Sequence, residues 1–288
     1  MGKIFRLILA LMLIFSLCGC KEKQNTIHQL TNQSESQMMS YVLTTKNGDC
    51  FVFDGGTQED EAYLIDYIQS HDDNATVNGW FLTHYHKDHT GALAQFLESG
   101  SDEIKIENIY YSFPTDASLV ETYDETRIED YNRILNDLST LDYAHTIYDG
   151  FKVETDELTI EVINDMQIYY ENFGNNTSSV YKITSDTTSW LVLGDCGSEL
   201  AQYLIDNHYE DIHNVDYLQM AHHGQRGGSS ELYHVINPKV CLWPLTDWIY
   251  TNWSGTGDLR FDETYEWMKD IDRIDYYAKD GTQEIEFK

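Results

Sequence analysis

The chain has 288 residues, which is enough for one large domain or two small ones. Hydrophobic residues make up 41% of it, as in an ordinary globular protein, and the 3 prolines argue against long extended linkers. The 18 lysines and arginines stand against 49 aspartates and glutamates, a formal net charge of −31. Because affinity for polyanions comes largely from lysine and arginine, this charge weighs against long nucleic acid and favours a small substrate. A second interpretation, that the acidity only maintains solubility, stays open.

The N-terminus has the features of an export signal. Lys3 and Arg6 precede an apolar stretch over residues 7–15, which is too short for a permanent membrane-spanning helix. Leu17-Cys18-Gly19-Cys20 resembles the bacterial lipobox, in which cleavage precedes a cysteine that then carries the lipid. We therefore expect residues 1–19 to be a lipoprotein signal peptide. Cys20 would anchor the exported protein to the outer face of the cytoplasmic membrane, and a plain secretory peptide is the alternative.

Composition divides the remaining chain into two parts. Residues 20–37 are rich in Gln, Asn, Ser and Thr and predict a flexible tether. Residues 38–288 show no repeat or linker and predict one domain. The cysteines beyond Cys20 number three and have no framework spacing, so no disulfide scaffold is expected.

Strand and helix patterns alternate along this domain. Apolar runs and alternation predict strands at 41–45, 50–53, 77–82, 104–106, 109–111, 151–153, 158–162, 180–183, 190–193, 217–220, 240–243 and 285–287. Helical spacing predicts helices at 61–70, 91–97, 121–138, 199–205, 230–235 and 261–269. Strands dominate each half with helices between them. The pattern favours an α/β protein with two sheets packed face to face and flanked by helices.

A cluster of metal-binding residue types follows the strand predicted at 77–82. His84, His86, Asp88 and His89 lie within six residues, and a helical pattern comes next. Alternate residues at a strand end point the same way, so His84 and His86 can share one ion while Asp88 and His89 face a second. Imidazole and carboxylate suit zinc, and also manganese or iron. A solvent-exposed histidine-rich loop is the alternative interpretation.

The order His-x-His-x-Asp-His is similar to the pattern of the metallo-β-lactamase superfamily. Three further segments resemble superfamily motifs in the same order along the chain: Asp54-Gly55-Gly56, Leu193-Gly194-Asp195 and Ala221-His222-His223-Gly224. The resemblance implies a four-layer αββα sandwich and a metal-dependent hydrolase.

Within that superfamily the chain most resembles the hydrolase domain of the DNA-uptake channel protein ComEC. The double histidine with glycine at 222–224 is typical of that group, as are residues 176–180, 236–240 and 280–281. The chain has none of the membrane-spanning helices of that channel, so the resemblance implies the hydrolase unit alone.

The resemblance also implies two divalent metal ions, with zinc expected and manganese as the alternative. The first ion would take His84, His86 and Asp195. The second would take Asp88, His89, Asp195 and one of the two adjacent histidines, with His222 preferred over His223. Many superfamily members place another histidine ligand where this chain has residues 173–178 without one. The first site is therefore expected to be weak or empty, or to be completed by water, substrate or Asn176.

These assignments predict a hydrolase that acts through a metal-activated water. Asp88 would orient the water, and His223 or Ser178 would contact the substrate or protonate a leaving group. We expect a phosphodiesterase that acts outside the cell on a small or cell-envelope phosphodiester. The alternatives are a lactone or β-lactam hydrolase and a ligand-binding lipoprotein without turnover, and the sequence identifies no protein partner.

Overall fold

The computed structural model describes residues 23–71, 74–251 and 261–288. The signal peptide predicted at 1–19 and Cys20, the predicted site of lipid attachment, lie outside these ranges. In the described ranges, no helix is both long and apolar enough to cross a membrane.

Short strands make up most of the regular structure. In chain order they are β1 (Asn25–Gln29), β2 (Ser40–Thr44), β3 (Cys50–Asp54), β4 (Thr76–Val77), β5 (Gly79–Phe81), β6 (Lys105–Ile106), β7 (Ile109–Tyr111), β8 (Ala144–Thr146), β9 (Lys152–Glu154), β10 (Thr159–Val162), β11 (Tyr181–Thr184), β12 (Ser189–Val192), β13 (Tyr217–Gln219), β14 (Val240–Trp243), β15 (Ile274–Tyr277) and β16 (Gln283–Phe287).

The helices lie mostly between these strands. They are α1 (Glu61–His71), α2 (Lys87–Ser99), α3 (Ala117–Tyr123), α4 (Ile128–Leu138), α5 (Phe173–Asn176), α6 (Ser198–Asn207), α7 (Tyr209–Ile212), α8 (Ser230–Ile236), α9 (Asp247–Tyr250) and α10 (Phe261–Trp267).

Two seven-stranded sheets form within the described residues. The first has the order β16-β1-β2-β3-β5-β7-β8, and the second β15-β14-β13-β12-β11-β10-β9. Each sheet changes from antiparallel to parallel pairing, at β3 in the first sheet and at β12 in the second. Ligands of α/β proteins bind beyond the carboxyl ends of parallel strands, where strand order changes. The ends of β3, β5, β12 and β13 are therefore the expected location of a site.

Three apolar clusters separate four layers. Tyr41 and Phe53 of the first sheet pack against Trp190 of the second, with ring centroids 5.4 and 5.2 Å from that of Trp190. Because successive strand residues face opposite sides, Val42 and its neighbours instead pack under α1, α2 and α4. Leu191 and its neighbours pack under α6 and α8. Each large apolar side chain that is fully buried contributes roughly 1.5–3 kcal/mol. The layers confirm the predicted αββα sandwich.

The segment predicted as a tether differs from that prediction. β1 lies inside residues 20–37 and pairs antiparallel with both β2 and β16. Ile27 and His28 of β1 are both buried. The polar composition misled the prediction, because the strand needs only a few apolar contacts once two neighbouring strands satisfy its backbone hydrogen bonds.

The long helix predicted at 121–138 is also interrupted. It consists of α3 and α4, separated by a short 3-10 turn over Glu125–Arg127. Asp124 stands at the break with φ −147° and ψ 43°, outside the helical region. Its side chain points away from the helix and into the histidine cluster, as described below.

Candidate metal centre

The connection between β5 and α2 carries the histidine cluster. His84 and His86 follow the strand, and Asp88 and His89 lie in the first turn of the helix. This is the setting that the sequence predicts. All four side chains are buried, so the cluster is not a solvent-exposed loop.

Two overlapping groups of side chains are each able to hold a metal ion, because the ligand atoms of each group lie within 4.8 Å of one another. Both include His89, whose Nε2 can bind only one ion at a time, since its Nδ1 faces Asp54. The first consists of His84, His89 and Asp195, and the second of Asp88, His89 and His223. The His89 Nε2 lies 3.3 Å from Asp195 Oδ1, and the His223 Nε2 lies 3.3 Å from Asp88 Oδ2. The His223 Nε2 is also 3.7 Å from Asp195 Oδ2. Asp195 therefore lies between two adjoining groups.

The donor atoms of these groups fit divalent cations. The Nε2 atoms of His84, His89 and His223 and the Oδ1 of Asp195 are buried without a hydrogen-bond partner. Buried polar groups are almost always satisfied, and an orphan of this kind needs an explanation such as an ion. Four of them converge here, and imidazole with carboxylate is a donor set for zinc or manganese.

The electrostatics agree with a cation at this place. Burial alone would raise the pKa of Asp88 and Asp195, but the neighbouring histidines outweigh it and hold both well below the usual range. Burial opposes the charged form of His89, yet the carboxylates of Asp195 and Asp54 raise its pKa well above its usual value. The protein alone therefore favours ionised carboxylates at Asp88 and Asp195 and a proton on His89, and a metal ion can replace that proton.

Asp54 at the end of β3 orients His89 through the ring nitrogen that faces away from the donor groups. Its Oδ2 lies 2.7 Å from His89 Nδ1, and it also accepts hydrogen bonds from the Thr83 backbone N–H at 2.8 Å and hydroxyl at 2.7 Å. A carboxylate on one ring nitrogen fixes the tautomer and aims the other nitrogen at the ion. The aspartate of the Asp-Gly-Gly turn seen in the sequence thus orients a candidate metal ligand.

Ser178 does not have the substrate contact that the sequence analysis assigned to it. Its side chain is fully buried, and its hydroxyl accepts a hydrogen bond from the Asp195 backbone N–H at 3.1 Å. A Cβ on Gly194 would approach the same hydroxyl to 2.9 Å. Ser178 therefore positions the turn that presents Asp195, and the prediction of a catalytic serine is corrected.

Asn176 likewise does not complete a metal shell. Its Oδ1 accepts from the backbone N–H groups of Gly197 at 3.0 Å and Leu200 at 3.3 Å, at the start of α6. Its Nδ2 donates to the Glu199 carboxylate at 3.0 Å. Both ends of the amide are used to cap the helix, so the sequence expectation for Asn176 is wrong.

The two adjacent histidines exchange the roles preferred from the sequence. Both follow β13 in left-handed backbone, with φ 50° at His222 and 55° at His223, a strained state for non-glycine residues. This turn directs His223 inward, where its Nδ1 lies 2.7 Å from the Pro244 carbonyl and its Nε2 joins the second group. The His222 side chain is 20% exposed, and its Nε2 lies 3.8 Å from Asp195 Oδ2. The structure thus places His223, rather than His222, among the second group's donors.

Asp124 is a site residue that the sequence analysis missed. Its Oδ2 accepts from the Tyr85 hydroxyl at 2.7 Å and lies 2.9 Å from His86 Nε2. His86 belongs to neither donor group, so the structure does not bring it together with His84 and Asp195 as the sequence predicted for the first ion. A Cβ on Gly174 would meet Asp124 and His86 at 2.3 Å, so only glycine fits beside this pair. The break between α3 and α4 was the local feature that could have revealed it.

Gln37 was missed because it lies in the predicted tether. Its Nε2 donates to Asp88 Oδ2 at 2.7 Å, and its Oε1 accepts from Gln225 at 2.8 Å. The segment after β1 therefore contributes directly to the orientation of a candidate ligand. No local pattern marks such a contact, since Gln37 and Gln225 are 188 residues apart.

The comparison with protein families agrees with this site. A model described as the metallo-beta-lactamase superfamily matches residues 35–237. The chain therefore belongs to that superfamily, and its donor groups are those of a metal-dependent hydrolase. No curated protein sequence matches it significantly.

Solved structures of low identity share the fold. The metallo-beta-lactamase fold protein YhfI from Bacillus subtilis is 12% identical with a TM-score of 0.52, over 90% of this chain and 99% of that one. A diphosphatase of the PhnP family is 13% identical with a TM-score of 0.53, over 91% and 98%. Unliganded yeast PDE1 is 10% identical with a TM-score of 0.55, over 92% and 100%.

Proposed function

We propose that the chain is a phosphodiesterase of the ComEC-like group that acts outside the cell on a small or cell-envelope phosphodiester. The observation that carries the proposal is the pair of adjoining donor groups with Asp195 between them. Paired metal sites suit displacement at phosphorus, because both the attacking and the leaving oxygen need a neighbouring positive charge. One structure of the same fold is described as a diphosphatase, which supports phosphoester chemistry.

The protein's own residues define the geometry of this reaction. Divalent cations at such a site lower the pKa of water and offset charge on the substrate oxygens. Asp88 and Asp195 would supply the negative charge that binds them, and the ring orientations of His89 and His223 are fixed by Asp54 and the Pro244 carbonyl. The protein thus holds every donor before substrate arrives, which keeps the cost of reorganisation low.

His222 takes the substrate-facing role that the sequence analysis gave to His223. Its side chain is partly exposed, and its Nε2 lies 3.3 Å from the Asn175 amide and 3.8 Å from Asp195. The Asn175 amide donates to this Nε2, and burial lowers the pKa of His222 to about 4. The neutral ring can therefore accept a hydrogen bond from the reacting water or from a substrate hydroxyl. The buried Asn175 Oδ1, which has no hydrogen-bond partner, lies on the same side.

A metal-supplemented substrate panel tests the proposal. The protein is produced from residue 21 onward, because removal of residues to 37 would delete β1 and Gln37. We expect bound zinc or manganese, and hydrolysis of bis(p-nitrophenyl) phosphate and of dinucleotides. His89→Ala should abolish both turnover and most metal binding, since His89 belongs to both groups. His234→Ala, at an exposed histidine bonded to the Ser230 carbonyl, is the matched control.

The other outcomes are distinct. Cleavage of a lactone or β-lactam without cleavage of phosphodiesters would establish the alternative hydrolase. Bound metal without turnover of any substrate class would favour a ligand-binding lipoprotein.

The location of the protein is part of the proposal and has its own test. Lys3, Arg6 and the Leu17-Cys18-Gly19-Cys20 segment support export and a lipid on Cys20. In a bacterial host, labelling with a radioactive fatty acid should mark the protein, and Cys20→Ser should remove the label. An unchanged label in Cys20→Ser would contradict the assignment.

A further inference from the structure

A cavity of about 330 Å³ opens beside the second donor group. Asp88 lies in its wall, so the cavity adjoins the position of the reacting phosphate. The other walls include Glu35, Gln37, Lys87, Arg127 and Trp248. Two cations and an aromatic ring therefore surround a space directly next to a candidate metal ligand.

Lys87 is unusual among the cations of this acidic chain. Most described lysines and arginines form ion pairs with carboxylates, as Lys46 does with Glu157 at 2.7 Å and Lys239 does with Asp216 at 2.6 Å. In the described ranges the Lys87 ammonium forms neither a hydrogen bond nor an ion pair, and the side chain is exposed. It is also the first residue of α2, where the helix dipole disfavours positive charge. Its charge interacts with Glu59 and Asp130 without a close ion pair, and its position in the helix does not favour a lysine.

Arg127 brings a second cation to the same cavity. It ends the 3-10 turn between α3 and α4, and its Nη1 lies 3.6 Å from Asp130 Oδ2. Asp130 interacts electrostatically with both Arg127 and Lys87. Asp130 faces both cations, and the cavity wall itself contains the acidic residues Glu35 and Asp88. A metal ion bound to Asp88 would offset that carboxylate and leave Lys87 and Arg127 to attract an anion.

Trp248 forms an aromatic wall held in place by the N-terminal segment. Its indole Nε1 donates to the Glu35 carbonyl at 3.0 Å, and the ring is only partly buried. Trp243, by contrast, is fully buried in the core. A fixed, partly exposed ring next to two cations suits a ligand that combines a flat or apolar group with an anion.

We infer that Lys87 and Arg127 form a second anion subsite, which binds a terminal phosphate of the substrate while the scissile phosphodiester lies at the metal groups. This inference rests on the proposed function. Trp248 packs against the nucleoside or alkyl group that joins the two phosphates. The substrate class is therefore a phosphodiester that carries a second, dianionic phosphate. A phosphorylated dinucleotide and a phosphorylated glycerol phosphodiester of the cell envelope share this chemistry.

Matched substrate pairs test the subsite with the metal-loaded protein. One pair is a dinucleotide with and without a 5′-phosphate, and the other is glycerophosphoglycerol with and without a terminal phosphate. We expect kcat/KM to favour the phosphorylated member of at least one pair by roughly tenfold or more, mainly through KM, as charge-assisted contacts are strong. The pair with the larger preference identifies the source of the substrate.

Substitutions test which residues cause the preference for the phosphorylated substrate. Lys87→Ala and Arg127→Ala should each lower it by about three- to tenfold, and the double variant should bring it close to one. Trp248→Ala should raise KM for both members of a pair, because the ring contacts the group that they share. Lys105→Ala, which removes an exposed lysine paired with Glu107, is the control and should leave the preference unchanged. Thermal unfolding of each variant checks that it folds.

The negative outcomes separate this inference from the proposed function. Absence of hydrolysis in both pairs by the unsubstituted, metal-loaded protein would sink the proposed function and the subsite with it. Hydrolysis without preference in either pair would overturn the subsite alone. A preference that survives the double variant would also overturn it, because the terminal phosphate would then bind elsewhere.

Discussion

The Asp54 carboxylate lies 2.7 Å from His89 Nδ1, although the two residues belong to β3 and α2 and are 35 positions apart. His89 is common to both donor groups. The aspartate that ends one strand of the first sheet thus orients the histidine that the two donor groups share.

Asp54→Asn should therefore weaken metal binding without disturbing the fold. Asparagine keeps the shape and can still accept a hydrogen bond, but it lacks the charge that holds the His89 tautomer. We expect a loss of about 10–100-fold in zinc affinity, measured by titration against a competing chelator. Asp66→Asn, on the exposed face of α1, is the control. Equal affinities for the two variants would show that Asp54 acts only as a backbone support of Thr83.

Alanine substitutions at the two adjacent histidines should give different results. His223→Ala should remove about one metal ion per chain, because His223 Nε2 belongs to the second group. His222→Ala should keep its metal and lower kcat by roughly 10²–10⁴-fold, the range of a lost acid–base group. Metal content by elemental analysis and turnover are measured on the same preparations. Metal loss in His222→Ala instead would restore the assignment preferred from the sequence.

Gln37→Ala tests whether the N-terminal segment supports the site. The substitution removes the amide that donates to Asp88 Oδ2 at 2.7 Å and frees Asp88 to rotate. We expect metal affinity to fall by about tenfold or more, as for other lost partners of a ligand. Gln33→Ala, in the same segment but bonded only to the nearby Thr31 carbonyl by its amide, is the control. Metal affinity is compared by chelator competition, and similar values for both variants would count against a role for Gln37.

His28 predicts a pH dependence of stability. Burial, together with the nearby His71, lowers the pKa of His28 from 6.5 to about 3. The unfolded chain therefore binds more protons than the folded one between these values, so the stabilisation present above pH 6.5 is lost as pH falls. The loss reaches about 2 kcal/mol near pH 5.

Denaturant unfolding at several pH values measures this effect. His28→Gln, which can keep hydrogen bonds to Tyr67 and Thr44, should show a shallower fall in the free energy of unfolding between about pH 7 and pH 5. His234→Gln should keep the full slope. A slope that His28→Gln leaves unchanged would place the acid sensitivity in other groups.

Much of the fold and part of the site were predictable because their signals are local. The patterns in residues 41–45 and 50–53 predicted β2 and β3, and helical spacing predicted α1 and α6 within two residues of their bounds. His84, His86, Asp88 and His89 lie within six residues, so strand and helix geometry alone brings them together. Asp195 was found through its motif, and the structure brings it to the same place.

Where the prediction failed, the cause was a contact between distant parts of the chain. β1 is a strand because β2 and β16 pair with it. Ser178 and Asn176 are residue types that often occur in active sites. Here, however, their side-chain oxygens accept hydrogen bonds from the backbone at Asp195 and at the start of α6.

The sequence by itself determined which residues can bind metal, and it also determined the αββα architecture. Both follow from periodicity and motif spacing, which are local properties of the sequence. Only the tertiary structure decided between His222 and His223, since the choice depends on a left-handed turn and on the Pro244 carbonyl 21 residues away. It alone also brought Asp124 and Gln37 to the site. These roles depend on contacts between segments that are far apart in the chain, and a local pattern does not say which distant residue will be met.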